Sequence, residues 1–194
     1  MESVKENRRA HMTKIRLKKA LIKLRQNKPL RCVTVKELCT LADVSRSTFY
    51  LHYDSPEEVF YEIEDTALSR RETALAKSQY AKGSTEYWLI FLDNIEQYPD
   101  IYYILFTQTE EKKFKERIRE TYINAVPIKF LNNEDKNNLV INYTIAGNIA
   151  ILVSWIKSGC KMPQKELANL RFAIFGKINT LTDEDTKWDE KRSA

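Results

Sequence analysis

The chain has 194 residues, 43% of them hydrophobic and 30% charged, with a formal net charge of +5 at pH 7. This composition excludes a disordered chain, and only four Gly and five Pro leave room for long helices. The sequence shows no secretory leader, no internal repeat and no plain membrane-spanning run, so we expect a cytoplasmic, all-α protein without a membrane role.

Positive charge is concentrated at the N-terminal end. Residues 1–53 hold thirteen Lys and Arg against four Asp and Glu, a net of about +9, whereas the other 141 residues carry about −4. This asymmetry predicts a polyanion-binding head. Within it, Lys14 to Arg25 alternates basic and apolar residues, which predicts an amphipathic helix with a phosphate-facing flank at residues 14, 16, 18, 19, 23 and 25. A merely solvated face is the plainer alternative.

The stretch from Val33 to Glu58 predicts two short helices joined by a turn. The first has one apolar face, formed by Val35, Leu38, Cys39 and Ala42. Asp43 tolerates left-handed dihedrals and therefore suits the turn, while Ser45 is a good N-cap for a second helix that begins near Arg46. A helix-turn-helix is the result, and with the preceding basic helix it makes a three-helix head.

The second helix carries polar groups on its outer faces. Phe49 and Tyr53 are four residues apart and face inward, which leaves Arg46, Ser47, Thr48, Tyr50 and His52 outside. Arg binds guanine edges bidentately, hydroxyls bond to bases or phosphates, and amides at a helix start attract phosphate. We therefore expect a double-stranded DNA partner, although two amphipathic helices can also simply pack into a core.

The segment TVKELCTLADVSRSTFYLHYDSPEE, residues 34–58, resembles the DNA-binding domain of the tetracycline-repressor (TetR) family. The resemblance covers about fifty residues with the basic helix. It implies that Thr34 caps the second helix, that Ser45 to His52 form the recognition helix, and that Tyr50 and His52 approach the DNA backbone. It also implies a homodimer that binds a palindromic operator, in which a two-fold axis places two recognition helices about 34 Å apart.

Two residues depart from that family's pattern. Asp43 stands where a turn glycine is usual, and Pro56 stands where a lysine at the start of the fourth helix ordinarily touches phosphate. Proline suits a first helical position because its missing donor would be unpaired there anyway. The lost contact must then come from Tyr50, His52 or the amides at the helix start, or DNA binding is weaker.

Beyond the head we predict helices only. We expect a DNA-binding domain at residues 1–54, a helical effector and dimerisation bundle at 55–182 and a polar tail at 183–194, with about nine helices in all. Helices are predicted from Ser55 to about Gln79, before Pro99, after Pro99, from Glu110 to about Leu131, from Leu139 to Ser158 and from Lys165 to Leu181. Gly159 suits a helix stop.

The last two long helices predict a dimer interface. Residues 139–158 are apolar around most of the circumference, which calls for cover from a second subunit. Candidate interface residues are Gly147, Ile151, Trp155, Leu170, Ile174 and Ile178. The body resembles a TetR-family branch that includes regulators of dihydroxyacetone kinase genes, judged by NIEQYP at residues 94–99 and AGNIAILVSWIKSG at 146–159. That branch implies a protein effector, or none.

Aromatic residues of the body offer a tentative ligand pocket. The candidates are Trp88, Phe91, Tyr102, Phe106, Tyr122 and Tyr143, and ordinary core packing is the alternative. An inward Asn142 or Asn148 is the first polar sign of such a pocket. The effector is then a small molecule or a protein.

Neither an enzyme nor a cofactor-binding protein is indicated. The sequence has two histidines, His11 and His52, and lacks a metal-protease motif, a glycine-rich phosphate loop or a nucleophile elbow. Cys32, Cys39 and Cys160 lack the spacing of metal ligands. Cys39 is predicted to lie in the core, and redox sensing by Cys32 or Cys160 stays open. We expect a transcription regulator. The alternatives are a regulator controlled by a protein partner and a non-specific nucleic-acid-binding protein.

Overall fold

The computed structural model describes residues 2–76, 84–107 and 131–178, together with Phe114, Glu116, Arg119, Glu120, Thr180, Thr182 and Glu184–Thr186. Its helices are α1 (Glu2–Arg25), α2 (Val35–Ala42), α3 (Arg46–Tyr50), α4 (Pro56–Ala76), α5 (Thr85–Gln97), α6 (Pro99–Thr107), α7 (Glu134–Lys157) and α8 (Gln164–Ile178). Short 3₁₀ turns occur at Leu30–Cys32 and Glu184–Thr186. The all-α prediction is confirmed, while most of the helix predicted at 110–131 lies outside the described residues.

Two compact units divide the chain. Unit 1 comprises Met1–Thr73 and Tyr98–Glu110, and unit 2 comprises Ala74–Gln97 and Glu111–Ala194. This division reflects packing alone. The functional boundary expected after residue 54 and the tail boundary at residue 183 stay predictions.

The core of unit 1 holds the short helices α2 and α3 against α1. Its completely or almost completely buried side chains are Leu17, Leu21, Leu38, Phe49, Val59, Phe60, Tyr102 and Leu105. The Tyr102 hydroxyl also donates to the Ala67 carbonyl over 3.4 Å. Burial of one such side chain stabilises the fold by about 1.5–3 kcal/mol, so α3, five residues long, is anchored by tertiary packing rather than by its own propensity.

In unit 2, α5 packs on α8, and Arg171 of α8 contacts Asn148 of α7. Leu92, Ile95, Leu152, Trp155, Leu167 and Ala168 are buried there. The Asn133 side chain caps the start of α7 by accepting from the Lys136 amide over 3.0 Å. Gly159 follows the helix with φ +75°, where glycine is favoured, which confirms its predicted role as a helix stop.

Helix α7 is more apolar than the sequence analysis allowed. Among the described residues, Glu134–Lys157 is the one helix whose length and composition would suffice to cross a membrane. A single such helix is weak evidence, because helices that are covered by other protein surfaces pass the same test.

Candidate nucleic-acid interface

The turn between α2 and α3 has the predicted backbone geometry. Asp43 adopts φ 53° and ψ 55°, in the left-handed region that favours glycine. The Val44 amide donates to the Cys39 carbonyl over 3.0 Å and closes the turn. The Arg16 guanidinium contacts the Asp43 carbonyl at 3.2 Å and its Oδ2 at 3.3 Å. The residue that departs from the family pattern therefore links α1 to the turn.

Ser45 caps α3 as predicted. Its Oγ accepts from the Thr48 amide over 3.0 Å, and it lies 2.9 Å from Ser47 Oγ and 2.8 Å from Thr48 Oγ1. The helix proper spans Arg46–Tyr50, and residues 51–52 form a turn after it. The start of α3 therefore presents three neighbouring hydroxyls beside amide donors.

The outward surface of α3 is available to a partner. Phe49 and Tyr53 are buried, which fixes the orientation of the helix as predicted. Arg46, Ser45 and Ser47 are exposed, Tyr50 is 57% exposed, and Thr48 and His52 are half-buried. A guanidinium, hydroxyls and a phenol at a helix start are the groups that bind base edges and phosphates in a DNA major groove.

Thr34 forms the predicted cap of α2, as part of a complete capping box. Thr34 Oγ1 accepts from the Glu37 amide over 3.2 Å, and the Thr34 amide donates to Glu37 Oε2 over 3.1 Å. Lys28 Nζ lies 2.7 Å from Glu37 Oε1. The hydrogen bond from Lys28, followed by those from Thr34, lowers the pKa of Glu37 to about 2. Glu37 therefore stays ionised and holds the start of α2.

Glu62 of α4 connects three elements of unit 1, which sequence reasoning missed. Its carboxylate accepts from Lys14 at 3.1 Å, Lys18 at 3.0 Å and the Tyr53 hydroxyl at 2.7 Å. Burial alone would raise the pKa of Glu62, but the hydrogen bonds from Tyr53, Lys18 and Lys14 together lower it to about 2. Burial, and then the bond to Glu62, raises the pKa of Tyr53. The chain leaving α3 is thereby fixed to α1 and α4.

The basic residues of α1 do not form one phosphate-facing flank, and this corrects the sequence analysis. Lys14 and Lys18 bind Glu62, and Arg25 is 1% exposed with its guanidinium 5.3 Å from the Phe60 ring centre. These three side chains face the inside of unit 1. Arg16, Lys19 and Lys23 are exposed. The periodicity shows which residues share a face, but the acceptor for the two lysines lies more than forty residues away.

Pro56 is the first residue of α4 and is buried, as its place at a helix start allows. The Ser55 hydroxyl accepts from the Glu58 amide over 3.3 Å, and the Glu58 carboxylate accepts from the Asp54 amide over 2.7 Å. Two amides that could have replaced the missing lysine are thus occupied, and Glu57 adds negative charge. The start of α4 is therefore unfavourable for phosphate.

The predicted aromatic pocket is not formed as one site within either unit. In unit 1 Tyr102 and Phe106 are buried with ring centres 5.8 Å apart, and in unit 2 Trp88 and Phe91 are half-buried, 5.6 Å apart. Tyr143 is 71% exposed on α7, so its side chain lines no enclosed space. Tyr122 lies outside the described residues. Core packing accounts for Tyr102 and Phe106.

Unit 2 does contain an inward polar group. Arg171 of α8 is 4% exposed, with its guanidinium 4.3 Å from the Trp88 ring centre and its Nε 3.4 Å from Asn148 Oδ1. Asn148 in turn donates to the Thr144 carbonyl over 2.8 Å. Asn142 is exposed and contacts Arg119. Of the two asparagines considered, Asn148 is the inward one.

The candidate interface residues divide between an outer surface and the core. Leu170 and Ile174 are 45% and 43% exposed, Gly147, Ile151 and Ile178 are half-buried, and Trp155 is 4% exposed. Trp155 is fixed inside the chain, where its Nε1 donates to the Met162 carbonyl over 2.8 Å. A groove of about 410 Å³ between α7 and α8 is lined by Ala150, Ile151, Ser154, Trp155, Ser158, Met162, Leu167 and Leu170.

No metal site accompanies these features in the described residues, where no three His, Cys, Asp or Glu side chains gather. Cys39 is buried as predicted, Cys32 is exposed and Cys160 is half-buried. Burial raises the pKa of Cys160, which disfavours a reactive thiolate. Redox sensing by Cys32 stays an open prediction.

Comparison with known proteins agrees with the all-α fold. Residues 84–176 match a TetR-type family model described as a transcriptional regulator C-terminal region. A TetR transcriptional regulator from Streptococcus agalactiae 2603V has a similar structure, with a TM-score of 0.61 and 24% identity over 89% of this chain and 98% of that one. A TetR-like regulator from Rhodococcus sp. RHA1 has a TM-score of 0.62 and 15% identity over 84% and 92%.

The dihydroxyacetone kinase operon activator DhaS is also among the matched structures, with a TM-score of 0.48 and 19% identity over 86% of this chain and 93% of that one. None of the curated proteins compared with the chain matches it significantly. The helix-turn-helix unit and the second helical unit together have the fold of these regulators. Residues 84–176 therefore resemble the C-terminal region of TetR-type transcriptional regulators.

Proposed function

We propose that the protein binds double-stranded DNA sequence-specifically, as a homodimer at a palindromic operator, and represses transcription. The exposed start of α3 carries this proposal. There Arg46 and the hydroxyls of Ser45, Ser47 and Thr48 surround a helix start that Phe49 holds in place. The proposal needs no catalytic group and places the protein in the cytoplasm, beside its DNA.

The homodimer is supported by the apolar outer face of α7 and α8. Leu139 and Tyr143 are 69% and 71% exposed, and they continue along α7 into Ala146, Ala150 and the groove beside Leu170. Large apolar side chains at helical spacing are costly to leave in water and are typical of an interface. A symmetric pairing of this face in two subunits would bring α3 of each to one operator.

We further propose that an effector acts through the C-terminal region to change DNA binding. The Arg171 guanidinium contacts Trp88 and Asn148 inside unit 2, and a bound effector could change these contacts. A small molecule and a protein partner are both candidates.

The test is a competition between two duplexes. A palindrome is first selected by the protein from a random pool, and its binding at physiological salt is then measured against a random duplex of equal length. We expect the palindrome to bind at least about a thousand-fold more tightly. Equal affinity would favour the alternative, a non-specific nucleic-acid-binding protein.

A further inference from the structure

Exposed cations follow one side of α1, which we call the outer face. Arg8, Arg16, Lys19 and Lys23 are spaced by eight, three and four residues, so they share one side of the helix, and all four are exposed. From Arg8 to Lys23 the helix rises about 22 Å, long enough to lie along several phosphates of one DNA strand.

The opposite side of α1 is committed to the fold. Leu17 and Leu21 are completely buried, and Lys14 and Lys18 bind Glu62. By contrast, Arg8, Lys19 and Lys23 make no ion pair or hydrogen bond within the part of the chain that the structure describes. Unit 1 therefore pairs Lys14 and Lys18 internally and leaves Arg8, Lys19 and Lys23 for a partner.

Arg16 shows where the outer face lies relative to the recognition helix. Its guanidinium contacts both the carbonyl and the carboxylate of Asp43, the turn residue two positions before the Ser45 cap. The outer face is therefore connected directly to the turn that leads into α3. Arg16 therefore flanks the surface that carries Arg46, and Lys19 and Lys23 continue along the same side of α1.

The start of α4 offers no cation to a phosphate, because its first turn contains Pro56, Glu57 and Glu58. The family pattern implies a lysine at the start of that helix, but here Pro56 replaces it, and the Ser55 hydroxyl and Glu58 carboxylate occupy nearby amides. We propose that the outer face of α1 is a second phosphate-binding surface, which lengthens the footprint of α3 along the duplex. This inference rests on the DNA-binding function proposed above.

The chemistry of the face fits DNA better than an anionic lipid surface. Helices that lie in a membrane interface insert a broad apolar face, whereas the apolar face of α1 is buried in unit 1. Among the large hydrophobic side chains of α1 between residues 7 and 25, where exposure is described, only Met12, at 50%, is strongly exposed. A cationic surface with one such residue suits a hydrated phosphate backbone.

The salt dependence of DNA binding tests the inference. A triple variant, R8Q with K19Q and K23Q, is compared with K161Q, K165Q and K177Q, which removes the same number of exposed charges from unit 2. On the selected palindrome, the slope of log affinity against log salt should become shallower by about 0.9 for each lost phosphate contact in the α1 variant only. The preference for palindrome over random duplex should be retained.

An unchanged slope in the α1 variant would overturn the inference while leaving the proposed function intact. If the slope on DNA is unchanged and the α1 variant loses binding to phosphatidylglycerol vesicles, the inference is also overturned, because the outer face would then bind a membrane. Equal slopes in both triple variants would also overturn it, since net charge alone would then explain the loss. Equal binding of palindrome and random duplex by the wild type would reject the proposed function, whatever the variants do.

Discussion

Asp43 adopts a left-handed backbone conformation in the turn and also contacts Arg16. Its left-handed dihedrals would cost an ordinary residue about 1–2 kcal/mol, although Asp and Asn tolerate them better. Its carboxylate meets Arg16, but both side chains are well exposed, at 91% and 54%. Water screens such a pair, so we expect the backbone to dominate the effect of substitution on stability.

The replacement of Asp43 by alanine should therefore lower the free energy of unfolding by about 1 kcal/mol, whereas Asp43→Gly should leave it unchanged or raise it. Urea unfolding of the two variants and the wild type measures the difference. If both variants lose equal stability, the contact with Arg16 matters more than the backbone.

Glu62 should matter for acid stability. Its pKa in the folded protein is about 2, against an ordinary value of 4.5, so its contribution is complete above pH 4.5 and disappears as the pH falls towards 2. We expect Glu62→Gln to lower the free energy of unfolding by about 1 kcal/mol at pH 7. The effect is modest because the side chain is 36% exposed. The wild type should then lose more stability than the variant between pH 5 and pH 3. Parallel pH curves would show that Glu62 does not hold the cluster.

Arg46 is the exposed cation at the start of the recognition helix. A guanidinium that binds a base edge contributes about 1–3 kcal/mol to discrimination between sequences. Removal of a guanidinium that only contacts phosphate instead weakens binding to all duplexes alike. We expect Arg46→Ala to reduce the affinity ratio between palindrome and random duplex about tenfold or more. An unchanged ratio with uniformly weaker binding would make Arg46 a phosphate contact.

At the scale of elements, the sequence was most informative where structure is local. The cap at Thr34, the turn at Asp43 and the cap at Ser45 involve residues within a few positions of one another, and each is confirmed. The helix stop at Gly159 is local in the same way. Backbone dihedrals and side-chain caps are set by neighbouring residues, so motif spacing suffices to predict them.

Long-range packing was predicted less well. We predicted Trp155 at the dimer interface and Tyr143 in a ligand pocket, because helical periodicity alone cannot assign each face of α7 to a partner. Trp155 turned out to be core, because its indole finds the Met162 carbonyl, and Tyr143 is on the outside. In the same way, sequence spacing alone could not predict that Lys14 and Lys18 of α1 bind Glu62.

The proposed dimer interface on α7 can be tested by substitutions at Gly147. A Cβ added there meets no atom within 4 Å, so substitution should not disturb the single chain. We expect Gly147→Glu to give folded monomers, because two buried carboxylates would face each other across the proposed interface. Gly147→Ala is the matched control and should stay dimeric. Light scattering with circular dichroism separates the outcomes, and a Gly147→Glu dimer would place the interface elsewhere.

At the scale of the whole molecule, the excess of positive charge and the proposed dimer face lie in different parts of the chain. The N-terminal 53 residues carry the excess of positive charge, while Leu139, Tyr143 and Leu170 of the proposed dimer face belong to α7 and α8 of unit 2. Such a separation suits a protein that meets DNA with one part and its own copy with another. Two copies then double the recognition surface, which a single five-residue helix could not supply alone.

The spacing of the two half-sites tests this account most directly. Five base pairs inserted at the centre of the selected palindrome rotate one half-site by about half a helical turn, so one dimer can no longer reach both. We predict one dimer per original palindrome and an affinity at least about a hundred-fold lower for the inserted duplex. Equal affinity for the two duplexes would contradict the central claim that a two-fold pair of α3 helices reads the operator.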